Sequence, residues 1–177
     1  GQRAVAPTPE PATEDTIYDA ASLTKVVATT TAIMQLVERG KLELDAPVAR
    51  YLPAFAQNDK GAVTIRHLLT HMSGLRPDVD LKPAWSGYAT GIDLACREKL
   101  RSSPGSKFVY SDINFVVLGE LVRVASGRRL DVYTAEEVFG PLGMRDSGFL
   151  PPATKIARIA PTELTDGKML RGVVHDP

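Results

Sequence analysis

The chain has 177 residues, 44% hydrophobic and 24% charged, enough apolar mass for one domain with a buried core. Its 21 basic residues balance 21 acidic ones, which removes the electrostatic case for nucleic acid or an anionic membrane surface as partner. A single cysteine, Cys96, excludes an internal disulfide and reads as a small buried apolar residue.

No apolar run reaches the roughly 18 residues of a membrane span, and the N-terminus lacks a basic–apolar–small signal pattern. The chain opens on "GQRAV" without Met and closes on "RGVVHDP" without a terminating element. It is therefore read as the middle of a longer protein.

Residues 5–15, "VAPTPEPATED", are proline-rich without apolar periodicity, and an extended or polyproline-like surface segment is expected. A helix follows from Ser22 to Arg39. Val26, Ile33 and Val37 fall near one face, and Gly40 stands where a C-terminal glycine belongs. "KLELDAPVARYLPAF" is broken by Pro47 and Pro53 and reads as turns. "TIRHLLTHMSGL" predicts a helix from an N-capping Thr64 to Met72, ended by Ser73-Gly74. Residues 76–90 read as loop and a helix is expected from Ile92 or Asp93 to Arg101. "SSPGSKFVY" is a turn leading into extended residues. Asp112 to Ser126 is an apolar helix closed by Gly127, and Leu130 to Phe139 another, stopped by Gly140-Pro141. Beyond Leu150 loops and short strands are expected. No repeat is present, and the pattern is mostly helical with few strands.

The first candidate for chemistry is Ser22-Leu23-Thr24-Lys25. Positions i and i+3 on a helix lie roughly 5–6 Å apart at Cβ, so the amine can reach the serine oxygen. Unpaired N–H groups of a first helical turn favour an oxyanion beside them, and a serine hydroxyl needs such help to act as a nucleophile. Lys25 could be a base only if its pKa fell about 3 units from ~10.4, about 4 kcal/mol of differential stabilisation. Against this, about one S-x-x-K arises by chance in a chain this long, and Ser22 would serve equally as a plain N-cap.

The second candidate is "FVYSDINFVVLGELV", where Tyr110 ends an extended stretch before an apolar helix. A phenol ordinarily titrates near ~10, so a tyrosine base needs a cation close by, and a lysine would be one. Tyr110 would otherwise be a half-buried residue at the helix start, and Asp112 would be the helix N-cap. His67 and His71 stand four apart, but no carboxylate follows His67 as in H-E-x-x-H, and no Cys or acidic cluster offers further ligands. Structural roles are expected for both, with His71 near a helix C-terminus that welcomes positive charge. No metal site is expected, and the isolated His175 is uninformative. Met72, Trp85 and Tyr88 read as packing before pocket lining. There is no Walker-type loop, and "GELVRVASG" has the wrong spacing for a dinucleotide fingerprint. No cofactor is expected.

Taken together, "IYDAASLTKVVATTTAIMQLVERGKLELDAPVARYLP", "TIRHLLTHMSGL", "PGSKFVYSDINFVVLGELV" and "VFGPLGMRDSGF" resemble, in order, segments of the serine β-lactamase and penicillin-binding-protein superfamily. The nearest likeness is to class C β-lactamases, family VIII esterases and D-alanyl-D-alanine peptidases, over about residues 15 to 150. The resemblance implies an α+β fold, a helical cluster plus an antiparallel sheet covered by helices, with residues 1–177 a partial domain holding chiefly the helical part. It implies Ser22 as acylated nucleophile, Lys25 as its helical partner and Tyr110 as the base of a Y-x-N motif. Asp112 takes the place of that motif's Asn, a substrate-binding position, and replaces an amide donor by an acceptor-only carboxylate. The family's K-T-G or H-x-G strand, which also donates an oxyanion-hole N–H, does not occur here, and "RGVVHDP" resembles the segment leading toward it. A small-molecule or peptidoglycan-like acyl substrate is implied, with no nucleic acid or metal, in a periplasmic or secreted bacterial protein. A penicillin-binding sensor or pseudoenzyme without turnover is the alternative. The sequence does not indicate an oligomeric state.

Overall fold

Apolar residues at helical spacing between Asp112 and Ser126 build the element around which the rest is arranged. The structure, a computed structural model, describes residues 1–174; His175 lies outside them. Helix α4 (Asp112–Ser126) buries Ile113, Val117, Leu118, Leu121 and Val122. Four further α-helices pack on it: α1 (Thr31–Glu38), α2 (Ile65–Leu69), α3 (Tyr88–Arg97) and α5 (Leu130–Thr134). The shared core also takes in Ile33, Leu36, Phe55, Leu68 and Cys96. Full burial of each such aliphatic or aromatic side chain contributes roughly 1.5–3 kcal/mol. Strand content is small among the described residues: β1 (Gln2–Ala4) pairs antiparallel with β2 (Glu10–Pro11), and β3 (Leu164–Thr165) with β4 (Lys168–Met169). The largely helical reading with scarce strands therefore holds.

The helix expected from Ser22 to Arg39 is present but not uniformly α. Residues Lys25–Thr30 form a π-helix that passes directly into α1. The wider turn changes which residues face inward. Ala28, Ala32, Ile33 and Leu36 are buried, whereas Val26, placed on the core face by a uniform 3.6-residue period, is exposed. A second π-helix, Ala135–Phe139, continues α5, and Ala28 packs against its Val138 and Phe139. Gln35 Nε2 donates to the Glu137 carbonyl at 3.1 Å, supplying a side-chain partner where the helical ladder is widened. At the other end of α1, Gly40 adopts φ 67°. Its N–H bonds the Val37 carbonyl at 2.9 Å and the Lys41 N–H bonds the Leu36 carbonyl at 2.8 Å, a Schellman closure that requires a left-handed residue.

Other boundaries moved. The segment 5–15, expected to be polyproline-like, contains β2, which pairs with β1 just upstream of it. Thr64 does cap α2, with His67 completing a capping box, but α2 ends at Leu69 instead of Met72. Helix α3 starts at Tyr88, four or five residues earlier than expected, and stops at Arg97 instead of Arg101. Tertiary contacts account for the early start: the Tyr88 hydroxyl donates to Glu120 Oε2 at 2.6 Å, and Trp85 lies against Gly91. The stop is set by Lys60, a fully buried lysine whose ammonium donates to the Gln57 carbonyl at 2.7 Å and the Glu98 carbonyl at 2.5 Å. Burial holds the Lys60 pKa below its ordinary value. Asp112, expected as the N-cap of α4, is its first helical residue, and Ser111 occupies the cap position.

Candidate active site

Ser22 sits on an exposed turn just before the π-helix. The preceding Ala21 has φ 42°, and its N–H bonds Asp19 Oδ1 at 2.8 Å. A positive φ at a non-glycine residue is uncommon and sharpens the entry, so that the serine side chain stands clear of the helix barrel. Upstream, Ile17 pairs with Ile159 in a parallel bridge, tying the approach to the C-terminal part of the chain. The first turn is tight: the N–H groups of Leu23, Thr24 and Lys25 bond the carbonyls of Ala20, Ala21 and Ser22. These donors, counted from sequence as open to an oxyanion, are therefore engaged within the turn.

Two side chains converge on the serine, and a third joins them through Lys25. Lys25 Nζ donates to Ser22 Oγ at 2.8 Å, and the Tyr110 hydroxyl donates to the same oxygen at 2.8 Å from 88 residues away. Lys25 Nζ also pairs with Asp112 Oδ1 at 2.5 Å and lies 5.1 Å from the Tyr110 ring centroid. Thus Ser22, Lys25, Tyr110 and Asp112, all singled out from sequence, meet in one place. Ser22, Lys25 and Tyr110 line an open cleft of about 530 Å³ shared with Leu69, His71 and Phe115.

The charge state of Lys25 follows from its neighbours. Burial pushes its pKa down, but hydrogen bonds and charge from Asp112 and Tyr110 outweigh that, and the net shift is upward. The geometry describes an ammonium, opposite in direction to the lowered pKa that a lysine base needs.

His71 departs from its expected role. It lies beyond the end of α2 at φ 57°, and its Nδ1 accepts the Ser111 N–H at 3.0 Å. Burial, then repulsion from Lys25, lower its pKa, only partly opposed by Asp112. A neutral acceptor replaces the helix-terminal cation anticipated from sequence. His67 is occupied by the Thr64 cap. Trp85 and Tyr88 lie outside the cleft lining, the Trp85 indole donating to the Asp80 carbonyl at 2.9 Å. A larger apolar groove of about 640 Å³, lined by Ile17, Tyr18, Leu23, Val27, Met144 and Phe149 among others, lacks the convergence of hydroxyl and amine groups seen at Ser22.

The similarity of this chain to known proteins extends over nearly its whole length. The family model described as Beta-lactamase matches residues 1–176, and the chain belongs to this serine β-lactamase and penicillin-binding-protein family of hydrolases. The Escherichia coli (strain K12) protein named "Putative D-alanyl-D-alanine carboxypeptidase" is 37% identical over 188 residues, covering 96% of this chain and 42% of that protein. A family VIII carboxylesterase structure is 27% identical with a TM-score of 0.76, over 87% of this chain and 43% of that one. The octameric penicillin-binding protein homologue from Pyrococcus abyssi is 28% identical with a TM-score of 0.77, over 99% and 44%. The chain thus spans less than half the length of these relatives.

Proposed function

We propose that the protein containing this chain is a serine hydrolase that forms an acyl-enzyme on Ser22, with an ester, amide or β-lactam carbonyl as electrophile. The observation that carries this reading is the double contact at Ser22 Oγ, 2.8 Å from Lys25 Nζ and 2.8 Å from the Tyr110 hydroxyl. At that distance a proton passes between Ser22 and Tyr110 without rearrangement of either. With its own proton lost, Tyr110 acts as base and takes the serine proton while Oγ forms a bond to the substrate carbonyl carbon and the carbonyl π pair moves onto its oxygen. It returns the proton to the leaving oxygen or nitrogen when the tetrahedral intermediate collapses. Lys25 remains an ammonium and stabilises the negative charge on Tyr110 and then on the tetrahedral intermediate. Water repeats the sequence to release the acid. Asp112 holds Lys25 in place, and its half-exposed carboxylate offers an acceptor to a donor group on the substrate.

The test is covalent labelling of the full-length protein with a fluorophosphonate and a fluorescent penicillin, with peptide mapping of the adduct. A label on Ser22 and loss of p-nitrophenyl ester turnover in Ser22→Ala are expected, by about 10³-fold or more. Absence of label on Ser22, with Ser22→Ala as active as its parent, removes the proposal. A stoichiometric burst without turnover assigns the protein to the sensor alternative.

A further inference from the structure

The segment that presents Tyr110 belongs to no strand, and Tyr110 is 44% exposed. A residue so placed needs something else to hold its hydroxyl on Ser22. His71 contacts this segment three ways. Its carbonyl accepts the Val109 N–H at 2.9 Å. Its Nδ1 accepts the Ser111 N–H at 3.0 Å. Its ring stacks on the Tyr110 ring, with centroids 4.5 Å apart and planes 30° from parallel. The bonds bracket Tyr110 on both sides in sequence while the stack fixes its plane.

We propose that His71, as the neutral ring protonated on Nε2, is the positioning residue that holds Tyr110 in register with Ser22. The inference rests on the acyl-transfer reading above and extends it to a residue outside the reacting trio.

The surroundings of Nδ1 favour this tautomer. Asn114 Oδ1 accepts the Ser73 hydroxyl at 2.7 Å, which turns the Asn114 amide nitrogen toward His71 Nδ1 at 3.4 Å. Two donors therefore face Nδ1, and a neutral ring with its proton on Nε2 presents the matching lone pair. The charged and titratable groups around the ring are Lys25 from the π-helix, Tyr110 from the extended segment and Asp112 from α4. Protonation at Nδ1 would set a donor against two donors and add a cation beside Lys25, breaking the Ser111 bond. The backbone also suits the residue, because histidine and asparagine populate positive φ more readily than most side chains.

The test compares fluorophosphonate acylation rates of the full-length protein with those of His71→Asn, His71→Ala and Tyr110→Phe. Asparagine keeps both the left-handed backbone and an acceptor near Nδ1 but lacks the stacking face. We expect acylation slowed by about 10-fold in His71→Asn and by about 100-fold in His71→Ala, with KM for an ester substrate nearly unchanged. The parent should also lose acylation rate as pH falls below 6.5, a step that His71→Asn lacks. Circular dichroism and thermal melting establish that each variant is folded. If folded His71 variants acylate within about twofold of the parent with the same acid limb, the His71 role is overturned while a slow Tyr110→Phe leaves the acyl-transfer reading standing. If the parent is not labelled on Ser22, or Tyr110→Phe reacts like the parent, the acyl-transfer reading fails and His71 falls with it.

Discussion

Burial alone would lower the Lys25 pKa, yet Asp112 at 2.5 Å and the Tyr110 hydroxyl reverse the shift. Asp112→Asn removes the carboxylate and leaves burial opposed chiefly by Tyr110, so the Lys25 pKa should fall. Titration of the Lys25 side-chain nitrogen by NMR would show this, and an unchanged midpoint would contradict the assignment of Asp112 as its counter-ion. These residues were partly legible in the sequence. Ser22 and Lys25 are joined by helix geometry alone, because i and i+3 share a face. Tyr110 is 88 residues from Ser22, so only the resemblance to known motifs linked it to the serine. His71 was legible only as a helix-terminal residue. Its left-handed backbone and its stack on Tyr110 arise from tertiary contacts that no local pattern encodes.

Among the elements, the loop after α2 is pinned to the loop before Tyr110 at Gly74. Its φ is 85°, and a Cβ there would stand 2.1 Å from the Ser102 carbonyl oxygen. The Arg101 N–H meanwhile bonds the Gly74 carbonyl at 2.7 Å, so neither strand of this contact can withdraw freely. Gly74→Ala should destabilise the protein by more than about 3 kcal/mol, from backbone strain and steric overlap together. Urea denaturation measures the loss, and a change below about 1 kcal/mol would show that the loops are not closely held. The boundaries of α4 follow directly from the sequence because its apolar period is unbroken and Gly127 ends it at φ 74°. Those of α3 do not, since Lys60 and Glu120 fix its ends from distant positions in the chain. The two π-helices have no composition that separates them from α-helix, and only the packing of Ala28 on Val138 and Phe139 makes them visible.

Across the whole molecule, acid should weaken the fold in two stages. Burial holds His71 below 6.5 in the folded chain, so the unfolded chain binds the extra proton first. The stability His71 contributes is complete above 6.5 and is lost as pH falls through its lowered folded value. The second stage belongs to carboxylates. Arg158 and Lys155 hold Asp146 at about 2, below the ordinary 3.8, and Arg39 and Arg128 lower Glu137. Their contribution is present above the ordinary carboxylate range and disappears as pH drops toward about 2. The urea midpoint should therefore decline below 6.5 and again below 4, with the first decline absent in His71→Asn. A midpoint that stays level from neutral pH to 3 would contradict both assignments. The class of fold was legible at this scale because ordered motifs run from about residue 15 to residue 150. The ion pairs behind the acid response were not, because Arg39 and Glu137 are 98 residues apart and Asp146 meets Arg158 across a 12-residue separation that no helical or strand period specifies.

The π turn at Lys25–Thr30 also has a meaning for how the nucleophile is aimed. Recasting these residues with α spacing, none of them removed, would rotate everything before them by about 100° about the helix axis, because the wider turn takes up about one residue more than an α turn. Ala32, Ile33 and Leu36 could keep their places in the core while Ser22 swung to another azimuth, away from Tyr110. The extra residue acts as a phase offset, allowing the buried stripe and the reactive side chain of one continuous helix to be set independently.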